Sequence, residues 1–281
     1  MDPKQLVLLA LKASILLTVF GFGLGATKGD LLYLVHRRGL LARSLLAVFV
    51  IVPMVAVALA QLFDFRHTAE VALIALAVSP LPPLLPQKEM KAAGHHGYGL
   101  GLMATLALVS IVTVPVWAEI LEHLFARPFE ASSIAIARVV LISTLLPLLA
   151  GAIVRASLPS VADRIAAPVR LIGMILLPLA ALVLLAGMWR AVWAAVGDGT
   201  VLAMAAFVVI ALLVGHVLGG PAPDHSVVLA ISSACRHPAL ALSIASANFT
   251  EERFGGTIVL YLLVNTLIGV PYLAWQRKGA R

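Results

Sequence analysis

Apolar runs of about twenty residues recur from one end of the chain to the other, each long enough to cross the hydrocarbon of a bilayer. Nine can be marked, at residues 5–25, 41–62, 69–92, 98–121, 134–154, 167–188, 200–219, 226–248 and 256–275. They are too long for barrel strands and lack strict alternation. The pattern therefore predicts an all-α polytopic membrane protein with about nine transmembrane helices, in contact with a lipid bilayer. No polar stretch is long enough to form a soluble domain. The first run is longer than a secretory signal and is interrupted by Lys12, and the basic "HRRGLLAR" follows it. It reads as a retained helix. The longest connection, "TKGDLLYLVHRRG", has Leu and Tyr spaced for a helix lying in the interface.

Two runs break the pattern. The third reads "AEVALIALAVSPLPPLLPQKEMKAAG", with Pro80, Pro82, Pro83 and Pro86; the eighth reads "SVVLAISSACRHPALALSIASANFTEERFGG", with Pro238. Proline removes a backbone donor and clashes with the preceding turn. In hydrocarbon such a break survives only where protein or a wet cavity satisfies the freed carbonyls. The two runs lie five spans apart, which places them in opposite orientations, and a glycine-bearing turn and another apolar helix follow each. That spacing predicts an inverted repeat with discontinuous helices meeting near the midplane. The first repeat would occupy residues 1–133 (spans 1–4, its first helix missing) and the second 134–281 (spans 5–9).

Composition and charge sharpen this. The chain is 62% hydrophobic and 12% charged, about half the charge of a soluble domain. Its net charge of +7 sits in short loops and sets orientation, so no nucleic-acid partner is expected. With the N-terminus outside, Lys28, Arg37, Arg38, Arg43, Lys88, Lys91, Arg155, Arg164, Arg170, Arg277, Lys278 and Arg281 face the cytoplasm. Lys4, Arg66, Arg127, Arg190 and Arg253 face outward, and Arg138 lies near an outer helix end. An odd number of spans agrees with N-out, C-in. High Ala, Leu and Arg with short loops suits a bacterial cytoplasmic membrane. The one cysteine, Cys235, excludes an intramolecular disulfide and reads as a small packing residue. No nucleotide, cofactor or metal motif appears, and nothing sets an oligomeric state.

The chemistry gathers in the eighth run, around Ser232, Ser233, Arg236, His237 and Pro238. Arg236 has roughly ten apolar-run residues on either side, too many for it to snorkel, so it must face protein or water. Pro238 suits the first position of a new half-helix. The N–H groups of that half-helix and the guanidinium fork together suit an anion. Bracing of broken-helix carbonyls by Arg236 is an equally open role. His237 titrates near neutrality in water and is a candidate proton carrier or a structural hydrogen-bonding group. Ser79 precedes the first break. Thr105, Ser110, Thr113, Asn265 and Thr266, on the helices after each break, are candidate cavity-lining groups, although Ser and Thr often bond their own helix. His216, Asp224 and His225 read as interfacial. Ser232, Cys235 and His237 also invite an intramembrane hydrolase, but no G-x-S-x-G elbow is present and no enzyme is expected.

Taken together, "SILLTVFGFGLGATKGDLLYLVHRRGLLARSLLAVFVIVPMVAVALA", "ALAVSPLPPLLPQKEMKAAG" and "ISSACRHPALALSIA" resemble the bile acid:sodium symporter family. The resemblance covers nearly the whole chain. It implies two inverted five-helix repeats, a core domain with two crossed broken helices, a panel domain, and sodium-driven import of organic anions. Some members lack the first helix, which matches nine spans. Spans 2–4 and 7–9 would form the core and spans 1, 5 and 6 the panel. The departures are informative. Where the family's second crossover commonly reads E-x-G-x-Q-N-x-x-L-A, this chain has Ser232 for the acid, Ala234 for Gly, Arg236 for Gln and His237 for Asn. Where the first commonly carries Ser-Asn, it has Leu85 and Pro86. The expectation is a secondary transporter of a small organic anion in which Arg236 is a built-in cation in place of sodium, with proton coupling at His237 a further possibility. The alternatives are a sodium-coupled symporter with altered ligands and a membrane sensor that keeps the fold without transport.

Overall fold

The computed structural model describes residues 3–63, 65–79, 95–125, 132–249 and 254–279. The prolines expected to open the first break, Pro80, Pro82, Pro83 and Pro86, lie outside the described residues. Leu85 also lies there. Eleven helices are described: α1 (Pro3–Gly25), α2 (Lys28–Leu32), α3 (Arg38–Leu62), α4 (His67–Val78), α5 (His96–Phe125), α6 (Ile134–Ser157), α7 (Pro159–Ala195), α8 (Thr200–Gly219), α9 (Pro223–Ala234), α10 (Pro238–Asn248) and α11 (Gly255–Gly279).

Among the described residues seven helical spans are long and apolar enough to cross a membrane, with α9 and α10 counted as one. The chain is a multi-pass membrane protein. Of the other two expected spans, the first falls within α1 and the third continues from α4 into residues outside those described. The interfacial helix is shorter than expected. It is α2 alone, closed by a capping box in which Thr27 and Asp30 exchange hydrogen bonds. In contrast α7 runs 37 residues, well past the expected 167–188, because Pro159 sits at its favoured first turn and Pro168 and Pro178 do not interrupt it.

Small residues set the packing, as they must where lipid tails compete equally for apolar side chains. α1 packs against α6 and α7. Gly23 and Gly151 face each other there; a Cβ on Gly151 would stand 2.3 Å from the Phe20 carbonyl oxygen. α8 and α9 form a tight hairpin. Gly215 and Gly219, one turn apart, let the backbone of α9 approach so closely that a Cβ on Gly215 would meet Leu229 O at 2.4 Å. α4 packs on α10, and α11 packs most extensively on α7 and also on α4, α8, α9 and α10. α3 contacts α4, α8 and α9. The apolar core joins α3, α4, α5, α8, α10 and α11, while α7 turns many large apolar side chains, Leu179, Leu182 and Val183 among them, outward.

Two helices carry a wide turn with i to i−5 bonding, Ala47–Ile51 in α3 and Leu141–Leu145 in α6, each followed by a proline, Pro53 and Pro147.

Because the α1–α6 clash is backbone against backbone, Gly151→Ala is expected to cost about 1–3 kcal/mol. Gly187, whose added Cβ meets nothing within 4 Å, serves as control. Thermal melts in detergent should show Gly151→Ala melting lower and Gly187→Ala unchanged or higher.

Candidate functional site

The break between α9 and α10 follows from Pro238. In a continuous helix its N–H would serve the Ala234 carbonyl, and proline has none. α9 stops at Ala234, and Cys235 and His237 are extended, with φ,ψ of −85°,125° and −82°,101°. The abandoned Ala234 carbonyl is taken by the hydroxyl of Tyr261 on α11. α10 then restarts with Pro238 at its first position and His237 as N-cap: the Leu240 N–H donates to His237 Nδ1 at 3.3 Å. That nitrogen is an acceptor, so the neutral ring carries its proton on Nε2.

The third run meets this break. α4 ends at Ser79, whose hydroxyl donates to Leu76 O at 2.7 Å and accepts the His237 N–H at 3.2 Å. Ser79 is extended, with φ,ψ of −71°,141°, as expected before Pro80. The C-terminal end of α4 therefore abuts the N-terminal end of α10, an attractive arrangement of helix dipoles.

Arg236 lies between the two half-helices at 1% exposure. Both terminal nitrogens of its guanidinium donate to Val48 O at 3.3 Å. That carbonyl is free for a local reason. In the wide turn of α3 the Val52 N–H reaches back to Ala47 O, and the next residue, Pro53, has no N–H to offer. The Phe49 carbonyl loses its helical donor to the same proline and takes Trp117 Nε1 from α5 at 2.6 Å. Two consecutive carbonyls of α3 are thus capped by side chains from other helices. Among the described residues no carboxylate pairs with Arg236. Three buried polar atoms here have no hydrogen-bond partner: Arg236 Nε, His237 Nε2 and Ser233 Oγ.

The sequence-predicted residues divide into two groups. Arg236, His237, Ser79, Ser232 and Ser233 meet at the break, all buried. Asn265 joins them by donating from Nδ2 to Cys235 Sγ at 3.4 Å. A largely apolar pocket beside the break is lined by Cys235, Asn265 and Thr266 with Leu212, Ile231, Val270 and Leu273. The remaining hydroxyls look inward to their own helices. Ser110 donates to Ala107 O at 2.6 Å, Thr113 to Val109 O at 3.2 Å and Thr266 to Leu262 O at 2.7 Å. Thr105 is half-buried on α5. Sequence reasoning missed Val48, Pro53, Trp117 and Tyr261, of which only Pro53, a proline inside a run, left a readable signal.

A sodium ion needs several oxygen ligands, preferably some of them anionic. Three oxygens at this break already accept a hydrogen bond, Val48 O from Arg236, Ala234 O from Tyr261 and Ser79 Oγ from His237, while Ser233 Oγ has no partner. The groups left over include a guanidinium N–H and an imidazole N–H.

Replacing Tyr261 by Phe would leave Ala234 O bare in an apolar setting and should lower stability by about 1–3 kcal/mol. A thermal melt of Tyr261→Phe checks this; a melt matching the parent would mean another donor covers the carbonyl.

The sequence profile described as "Sodium Bile acid symporter family" matches residues 13–195. A comparison with curated proteins gives no match.

Proposed function

The chain belongs to the sodium bile acid symporter family, a family of membrane transporters, and on that premise we propose that it carries a small organic anion by alternating access without the family's usual sodium sites. One observation carries the reading. A guanidinium sits at the interruption of a membrane helix, held by a backbone carbonyl and by no described carboxylate. Its positive charge stands uncompensated beside the N-terminus of α10, which adds a partial positive charge of its own. An anionic headgroup is the partner that completes such a site, and the neighbouring apolar wall of Leu212, Ile231, Val270 and Leu273 suits a hydrocarbon body.

Arg236 is closed off in this conformation, so access requires the helix groups on either side to part. The mutual packing of α1, α6 and α7 supports a panel of spans 1, 5 and 6 rocking against a core of spans 2–4 and 7–9. In this reading residues 1–133 and 134–281 are inverted repeats, and the N-terminus lies outside. If protons drive the cycle, His237 is the place where they act. A second proton on its ring would occupy Nδ1 and release the Leu240 N–H, loosening the start of α10. Transport would then couple to a change in the half-helix itself.

The test is uptake into proteoliposomes, screened over small organic anions with and without a sodium gradient. Uptake indifferent to sodium is expected. Arg236→Gln should lower it at least about tenfold, with Arg236→Lys intermediate, since an ammonium cannot hold the Val48 carbonyl and an anion with the same fork. Uptake that requires sodium would support a symporter with altered ligands, and anion-induced stabilisation without flux would support a sensor.

A further inference from the structure

A second polar cluster lies away from the break, where the start of α5 meets the start of α9. His95, Asp224 and His225 each place one ligand-capable atom, a ring nitrogen or a carboxylate oxygen, within 4.8 Å of the other two. The first and the last two are separated by more than a hundred residues of chain. The backbone holds them together: the His95 N–H donates to Asp224 O at 3.4 Å, and the His225 N–H donates to Asp224 Oδ1 at 2.9 Å. Tyr33 adds a hydroxyl 2.8 Å from His225 Nε2, and its ring centroid lies 4.4 Å from that of His95, the planes tilted by 35°. Tyr98 closes another side, its ring centroid 5.2 Å from His225. His95 and Asp224 are partly exposed, which opens the cluster on one side, while His225 is buried at 9% exposure.

We propose that His95, Asp224 and His225 form a binding site for a divalent first-row transition metal such as Zn²⁺. Two imidazoles and one carboxylate are a donor set such ions favour, with a further position left for the Tyr33 oxygen or water. Tetrahedral coordination at about 2.0–2.2 Å brings donors to about 3.3–3.6 Å of one another, so these side chains need to converge by about 1 Å. The surroundings suit the ion in detail. Coordination through His225 Nδ1 leaves Nε2–H to donate to Tyr33, the outer hydrogen bond that fixes a ligating ring. His95 gives up one long contact, since its Nδ1 now accepts the Tyr98 N–H at 3.2 Å and coordination at either nitrogen ends that. The nearby cations are directed elsewhere. Arg37 lies 4.5 Å from the Tyr33 ring centroid, and Arg43 donates to the Gly220 carbonyl. A bound ion would tie α5 to the half-helix leading into the break, and this site stands whether or not Arg236 binds solute.

The experiment uses the tag-free full-length protein in detergent, stripped with chelator and titrated with Zn²⁺ by calorimetry and with Co²⁺ by visible absorption. One Zn²⁺ per chain is expected, with ligand-field bands from Co²⁺. His95→Gln, Asp224→Asn and His225→Gln should each weaken binding at least about tenfold. His123→Gln, at the far end of α5, should leave it unchanged. Each variant is first checked for a single symmetric gel-filtration peak. Absence of stoichiometric binding by the parent, or equal affinity in the well-folded variants, would overturn the proposal.

Discussion

A backbone carbonyl without a donor cannot be left in hydrocarbon, because no water is there to take it. Much of the described structure around the break answers that constraint. Pro53 and Pro238 each remove a donor, and the exposed oxygens of Val48, Phe49 and Ala234 are met by Arg236, Trp117 and Tyr261. Each rescue crosses from one helix to another. Local defects in two helices thereby become the tertiary contacts that join α3, α5, α9 and α11. An isolated helix with either defect would be a poor membrane span; together they are mutually satisfied.

This view also explains why proline alone does not mark the break. Pro115, Pro168, Pro178 and Pro271 all lie inside continuous helices. Pro238 differs in its neighbours. His237 can cap the new half-helix through Nδ1, and Arg236 has a free carbonyl waiting on α3. The chain leaves the helix where polar side chains make leaving worthwhile, and Ser79 supplies the last connection by joining the end of α4 to the same point.

Much of this was legible in the sequence. The apolar runs, the interruption at Pro238 and the burial of Arg236 all follow from hydropathy and from the cost of a buried charge. What the guanidinium holds was not legible, since Val48 is an ordinary valine and only the loss of donors around Pro53 makes its carbonyl special. The bonding of the candidate hydroxyls was not legible either: Ser110, Thr113 and Thr266 each donate to an acceptor about one turn back in their own helix, although Thr266 and Asn265 line the pocket beside the break. The cluster of His95, Asp224 and His225 was unreadable for a different reason. Asp224 and His225 look like surface residues at the edge of a span, and only the fold brings His95 beside them.

The central claim is that Arg236 serves the carbonyl that the wide turn before Pro53 leaves free. A double-mutant cycle on thermal stability, using Pro53→Ala and Arg236→Gln, tests it most directly. Alanine at 53 restores an N–H, lets α3 regain its ordinary bonding and makes the guanidinium dispensable there. The account predicts that Arg236→Gln costs less in the Pro53→Ala background, with a coupling of about 1 kcal/mol or more. Strict additivity of the two substitutions would contradict it.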